Sequence, residues 1–252
     1  ENSQNWYDYE ARQLAMDMSR FTSIDPLSEN YYSWSPYVYV ANNPLKYIDP
    51  NGKDIVVLSA SSGAGGLGHM AILVGSEEKG WTYISKDGTS KGKGASGESN
   101  YIVKEFSSLE EFSESAHNYQ LSEGFHSTSD GTEADTFSFK LDKEGNKMQR
   151  YDHATLIETT QKDGTSTDNK TIEAATTAAK TDYDLSTANC ADAVVAGLNV
   201  SRRSNGEKIH NGRVTGLSGG ILGTIPNSHR VIIRTANAGK NIIKKISPKK
   251  NK

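Results

Sequence analysis

Apolar positions fall in short runs along this chain, and their spacing predicts strands first and helices later. Asp54-Ile55-Val56-Val57-Leu58 is a continuous apolar run, the pattern of a buried strand. His69-Met70-Ala71-Ile72-Leu73-Val74 and Trp81–Ser85 flank the polar stretch Ser76-Glu77-Glu78-Lys79-Gly80, which predicts a β-hairpin with a short loop. A Gly/Ser/Lys loop follows from Asp87 to Ser99. A helix is then expected from Ser107, with Glu110 three residues on as a capping box. Thr136–Leu141 and Tyr151–Thr159 read as strands around a turn at Asp142–Asn146, and residues from about Asp168 to Lys180 as a helix. A second helix starts at Cys190 and is expected to end near Gly197, and Val231-Ile232-Ile233 reads as a last strand. The pattern is that of an α+β domain with an antiparallel sheet.

Gly63, Gly65 and Gly68 follow the first strand with the spacing G-x-G-x-x-G. A dinucleotide site requires a helix to begin there and an acidic strand end about twenty residues on. A β-like segment and a Gly/Ser-rich loop stand in those places, so no cofactor is expected. The glycines are read instead as a loop that lets a substrate approach His69.

Composition narrows the picture further. With 252 residues, 35% hydrophobic and 23% charged, the chain can form one domain of ordinary size and a smaller appendage. No run of eighteen apolar residues and no charged-then-apolar start is present, so no segment is expected to span a membrane or address the Sec pathway, and export, if it occurs, would need another carrier. The single cysteine excludes an internal disulfide framework and a cysteine-rich zinc site. The net charge of −3 hides a basic end: His229–Lys252 carries Arg230, Arg234, Lys240, Lys244, Lys245, Lys249, Lys250 and Lys252 and no acid. Such a tail could bind nucleic acid or an anionic membrane. It lacks interleaved aromatic residues to stack on bases, so a solvated terminus is the expectation and nucleic acid is not the expected partner.

Residues 1 to about 52 differ from the rest. Tyr7, Tyr9, Tyr31, Tyr32, Tyr37, Tyr39 and Tyr47 lie in short strand-like pieces separated by Asp25-Pro26, Ser35-Pro36, Asn43-Pro44 and Asp49-Pro50-Asn51-Gly52. The segments Tyr7–Arg12, Arg20–Leu27 and Ser35–Gly52 closely resemble the end of an Rhs-repeat core domain, with Glu10 where glycine is usual and Lys53 where leucine is usual. In that family, proline, four residues, then Asp-Pro-x-Gly marks the boundary between a β-shell and a variable C-terminal toxin. Pro44–Gly52 match it. The resemblance implies that residues 1–53 are a short β-rich remnant of the Rhs core and that 54–252 form a toxin domain. It also implies self-cleavage near Gly52 and Lys53, with Asp25 and Asp49 as candidate carboxylates. Its implied partners are the Rhs core shell, a secretion apparatus and a cognate immunity protein.

Cys190 lies where the polar turn Asp182–Ser186 gives way to an apolar helix. It is either a small buried hydrophobe or a nucleophile. For a nucleophile, the positive end of the helix dipole would lower the thiol pKa. A base is then needed, and of the six histidines only His69 heads an apolar strand rigid enough to hold an imidazole against a sulfur. His117, His126, His210 and His229 lie in polar surroundings, and His153 in a strand of structural residues.

Gly68–Gly75 together with Tyr183-Asp184-Leu185 and Asn189-Cys190-Ala191-Asp192 resemble permuted papain-like cysteine hydrolases, the NlpC-like and lecithin-retinol acyltransferase-like enzymes. The resemblance implies Cys190 as nucleophile, His69 as general base and a thioester acyl-enzyme. Ser85 is the expected third residue, with Asp87 its rival. Backbone N–H of Cys190, Tyr183 and the Asn189 side chain are candidate oxyanion donors; for Tyr183 packing, and for Asn189 a helix cap, are the alternative roles. Peptidoglycan peptide bonds in the periplasm are the expected substrate, with a protein peptidase or a lipid acyl hydrolase as alternatives. The competing reading is a non-catalytic toxin that acts through its basic tail, with Cys190 merely buried.

Overall fold

The computed structural model describes residues 6–8, 13–15, 20–24, 35, 37, 54–89, 96–159, 167–185, 188–202, 207–212 and 226–248. Asp25, Asp49, Gly52 and Lys53, the expected boundary residues, lie outside them. The chain divides into two compact units, Glu1–Pro50 and Asn51–Lys252. In the first, β1 (Trp6–Asp8), β2 (Gln13–Ala15) and β3 (Arg20–Phe21) form an antiparallel sheet in that order. Trp6 pairs with Ala15 and Leu14 with Phe21, and Ala15 and Phe21 are buried.

The second unit is an α+β domain built on a six-stranded antiparallel sheet. Its strands are β4 (Asp54–Ala60), β5 (His69–Ser76), β6 (Gly80–Thr89), β7 (Ser99–Phe106), β8 (His153–Ile157) and β9 (Lys240–Asn241). Their order across the sheet is β7-β6-β5-β4-β8-β9. The helices are α1 (Leu109–Glu114), α2 (Thr167–Lys180), α3 (Cys190–Val200) and α4 (Pro226–Ala236).

The continuous apolar runs of β4 and β5 have a direct cause, because both faces of the sheet are covered. Successive side chains of a strand point to opposite faces. Ile55, Val57, Ile72 and Val74 pack with Ala175, Ala179, Val194, Leu198 and Ile233 from α2, α3 and α4. Their neighbours Val56, Leu58, Ala71 and Leu73 pack on the other side with Tyr83, Phe106, Phe112, Tyr151 and Ile246. A strand between two apolar layers cannot alternate with polar residues, since each buried polar side chain without a partner costs about 1–3 kcal/mol.

Gly197 lies inside α3 rather than at its end, which comes at Val200. A Cβ at 197 would lie 3.1 Å from Ile72 Cδ1 and 3.3 Å from Thr171 Cγ2. The glycine lets α3 press against β5 and α2; it does not stop the helix. Ser108, not Ser107, is the N-cap of α1, its hydroxyl accepting from Glu111 N–H at 3.1 Å, while the Ser107 N–H donates back to the Glu111 carboxylate at 2.7 Å.

Two expected strands are absent. Val231-Ile232-Ile233 lies within α4, where Pro226 takes the first helical position and His229 and Ile233, four residues apart, share the buried face. Thr136–Leu141 forms only isolated bridges, Phe139 with Leu121 and Leu141 with Lys147. It belongs to a long excursion between α1 and β8 that folds back on the sheet. Among the described residues no helix is long and apolar enough to cross a membrane.

Candidate active site

Cys190 is the first residue of α3 because the chain ahead of it builds a complete cap. The Asn189 side chain accepts from Ala191 N–H at 2.9 Å, and the Asp192 carboxylate accepts from Asn189 N–H at 2.7 Å, a reciprocal capping box. The Asn189 amide nitrogen donates to Leu185 O at 3.1 Å. Both ends of that amide are thus engaged by the cap and the preceding turn, and Asn189 does not line the cavity described below.

The turn before Cys190 is fixed from the sheet. Tyr183 exchanges backbone hydrogen bonds with Gly97, at 2.6 and 3.0 Å. Lys86, fully buried in β6, donates Nζ–H bonds to Ala178 O, Thr181 Oγ1 and Asp182 O at 3.0–3.3 Å. A cation at the carboxyl end of α2 satisfies carbonyls that the helix leaves open. It anchors the segment that carries Tyr183 and Asp184 towards Cys190.

His69 begins β5, paired with Ala60. A 3₁₀ turn at Gly63–Gly66 brings the chain beside it, and Gly68 N–H closes on Gly63 O at 2.9 Å. Gly63 is required by close approach, because a Cβ there would lie 2.6 Å from His69 Cβ.

The imidazole of His69 meets a dense polar group. Its Nε2 is 3.2 Å from Ser85 Oγ, 2.9 Å from Arg150 Nη2 and 3.7 Å from Asp87 Oδ1. Ser85 stands opposite Ala71 on β6, and its hydroxyl donates to Asp87 Oδ1 at 2.6 Å. Asp87 is the extra residue of a β-bulge: Lys86 pairs with Tyr101 and Gly88 with Asn100, leaving Asp87 outside the ladder. Its carboxylate also accepts from Arg150 Nη2 at 2.8 Å and from Ser127 Oγ at 2.9 Å. Ser85 and Asp87, expected as rivals, therefore form one arm.

Arg150 and His126 complete the group, and sequence reasoning had singled out neither. The Arg150 guanidinium, 12% exposed, donates Nη1–H to His126 Nδ1 at 3.0 Å, and His126 Nε2–H donates to Tyr119 O at 2.9 Å. Below it, Tyr83 and Tyr151 share a hydroxyl bond of 2.6 Å, and the Tyr151 ring lies 6.0 Å from that of His69.

Charge follows from this packing. Burial tends to raise the Asp87 carboxyl, but Arg150 and the Ser85 hydrogen bond outweigh it and hold the group well below the usual carboxylate range. Burial, then the Arg150 charge, holds His69 well below its ordinary value against the pull of Asp87. The same two causes bring His126 down to about 3. Burial pushes the Cys190 thiol up to about 11, although its sulfur accepts the Met70 N–H and feels Arg150. The helix dipole was expected to lower this thiol; desolvation at a 4%-exposed site is the larger effect. The resting pair is an uncharged thiol and an uncharged imidazole.

Cys190 and His69 open into one cavity of about 770 Å³, with Tyr183, Leu185, Asp87 and Arg150 also in its wall. The remaining wall comes largely from the excursion between α1 and β8, through Gln120, Leu121, Phe125 and Lys140. No hydrogen bond joins Cys190 to the His69 ring, whose Nε2 is turned to Arg150 and Ser85. Burial, with the nearby thiol next, raises the Tyr183 phenol, so it is a hydroxyl donor at neutral pH.

No protein-family model, curated protein or solved structure matches this chain. Among the described residues no group of three His, Cys, Asp or Glu side chains is placed to hold a metal ion. Cys190 offers a nucleophile, His69 a proton acceptor, and the Cys190 N–H and Tyr183 hydroxyl candidate donors to a developing oxyanion.

Proposed function

We propose that residues 54–252 are a cysteine hydrolase of permuted papain-like architecture, the toxin of an Rhs effector used between bacteria. The observation that carries this reading is the single cavity onto which Cys190, at the start of α3, and His69, at the start of β5, both open, with the imidazole backed by Ser85, Asp87 and Arg150. In the proposed reaction His69 takes the Cys190 proton, the sulfur attacks an acyl carbon, and the imidazolium protonates the leaving amine or alcohol. Water then attacks the thioester, His69 takes its proton, and Cys190 leaves as the thiol.

A peptide amide, in first place that of the peptidoglycan stem, is the proposed substrate. The cavity wall combines apolar Leu121, Phe125 and Leu185 with polar Gln120, Ser122 and Lys140, which suits an amide-rich polar chain better than an acyl tail. The test is incubation of the purified full chain with peptidoglycan sacculi, a protein substrate and a phospholipid, with products read by mass spectrometry. Cleavage of stem peptides is expected. Cys190→Ala is expected to lower the rate by at least about 10⁴-fold, the scale of losing a covalent nucleophile. Hydrolysis undiminished in Cys190→Ala would overturn the reading.

A further inference from the structure

The polar group behind His69 sets a hydrogen-bond donor, Arg150, and an acceptor, Ser85 Oγ, against the same ring nitrogen. Arg150 is a permanent cation with only N–H donors. Its Nη2–H directed at His69 Nε2 over 2.9 Å requires a lone pair on that nitrogen. A neutral ring with a lone pair on Nε2 carries its proton on Nδ1. The Ser85 hydroxyl proton is already committed to Asp87 Oδ1 at 2.6 Å, so Ser85 Oγ faces Nε2 as an acceptor, at 3.2 Å. Arg150 and the Ser85–Asp87 arm therefore favour opposite states of the ring. Arg150 suits an unprotonated Nε2; the arm suits Nε2–H.

We propose that Arg150 is a positioning residue that latches His69 in the tautomer unable to accept the Cys190 proton, and that a substrate oxygen drawing Arg150 away releases it. This rests on the hydrolase reading above. In the latched state Nδ1 holds the proton and Nε2 is covered by Arg150, so neither nitrogen is available to the thiol. On release, solvent takes the Nδ1 proton and supplies one to Nε2, with no net change in charge. Nε2–H then donates to Ser85 Oγ, Ser85 to Asp87, and the bare Nδ1 accepts the thiol proton to give imidazolium and thiolate.

The latch is built to be reached from the cavity, since Arg150 lines it together with Cys190. The groups facing the ring are Ser85 and Asp87 from β6, Arg150 and Tyr151 from the segment entering β8, His126 from the excursion, and Cys190 from α3. Of these only Arg150 donates to Nε2. A carbonyl or carboxylate oxygen is the substrate group that can compete for its Nη2–H, so substrates bearing one close to the scissile bond are the ones that switch the site on. A thiol that stays protonated without substrate is protected from stray oxidation and alkylation.

Two measurements test the latch. In the full chain, ¹⁵N NMR of the His69 ring at pH 7.5 is expected to report a neutral imidazole protonated on Nδ1; an Nε2–H ring or an imidazolium would overturn the proposal, and this reading needs no variant to fold. Alkylation of Cys190 by iodoacetamide is the second. In the wild type the rate is expected to climb through pH 7–10 without a plateau near neutrality. In Arg150→Met, and less so in Arg150→Lys, a plateau is expected on the neutral side, with a rate at pH 7 raised by about tenfold or more, because an adjacent guanidinium shifts a neighbouring group by about one unit or more. An unchanged profile in folded Arg150→Met would overturn it. Neither readout depends on turnover, so failure of the latch is distinguishable from failure of the hydrolase reading.

Discussion

Asp87→Ala is expected to destabilise the second unit by about 3–5 kcal/mol, the cost of removing one partner of a buried ion pair. Arg150 Nη2 and Asp87 Oδ1 are 2.8 Å apart, with side chains 12% and 2% exposed. Without the carboxylate, the guanidinium keeps its charge but is met by two imidazole nitrogens and the face of Tyr151, and the Ser85 and Ser127 hydroxyls lose their acceptor. Urea unfolding of wild type and variant at pH 7.5 measures the difference. A loss below about 1 kcal/mol, the level of a surface pair, would mean that the bulge at Asp87 is solvated and that the polar group behind His69 is not assembled as described.

Mild acid is expected to destabilise the second unit above the pH at which an ordinary carboxylate titrates. His69, His117 and His126 are all buried, and burial first of all holds each below its ordinary value of 6.5. The sign follows from proton counts. Below pH 6.5 the unfolded chain takes up a proton at each of these histidines more readily than the folded chain does, so stability falls as pH falls, down to about pH 3 in the case of His126. Asp54 opposes this: burial raises it to about 6, so the folded chain gains a proton there that the unfolded chain takes up only near 3.8. Each such proton is worth about 1.4 kcal/mol per pH unit, and the three histidines together outweigh the one opposing proton at Asp54. Against a total of about 5–15 kcal/mol for a domain, that is a large share. Urea midpoints measured from pH 7.5 to 4 check it, and a midpoint constant down to pH 5 would contradict the buried, neutral state of these rings.

Local patterns made part of the site legible. The hairpin of β5 and β6 was readable because its apolar runs are bounded by a polar turn, and the start of α3 because the polar turn Asp182–Ser186 gives way to an apolar run with Asn189 as a candidate cap. His69 could be singled out since it heads an apolar strand. Other features were masked by competing propensities. Three consecutive β-branched residues, Val231-Ile232-Ile233, read as a strand, while Pro226 and the four-residue spacing of His229 and Ile233 were the helical signals that prevailed. β7 was passed over because its burial is uneven, with Tyr101 half-buried and Val103 exposed at 36%.

Arg150 was illegible for a different reason. It lies 81 residues from His69 and 63 from Asp87 in sequence, in the excursion with no regular period, and only tertiary packing brings its guanidinium to their side chains. The low basicity of the site was equally hidden. Position at a helix start predicts a reactive thiol, but the depth at which Cys190 is buried is set by elements distant in sequence.

Whether Cys190 and His69 together make this chain a hydrolytic toxin is tested most directly in growing cells. The full chain is expressed in a bacterium and directed to the cytoplasm or to the periplasm, beside Cys190→Ala and His69→Ala versions shown to accumulate to the same level. Wild type is expected to arrest growth from the periplasm, and both substitutions to restore it. Arrest that persists undiminished in both variants would contradict that mechanism, and would turn attention to the basic segment carrying Arg234, Lys240, Lys244 and Lys245.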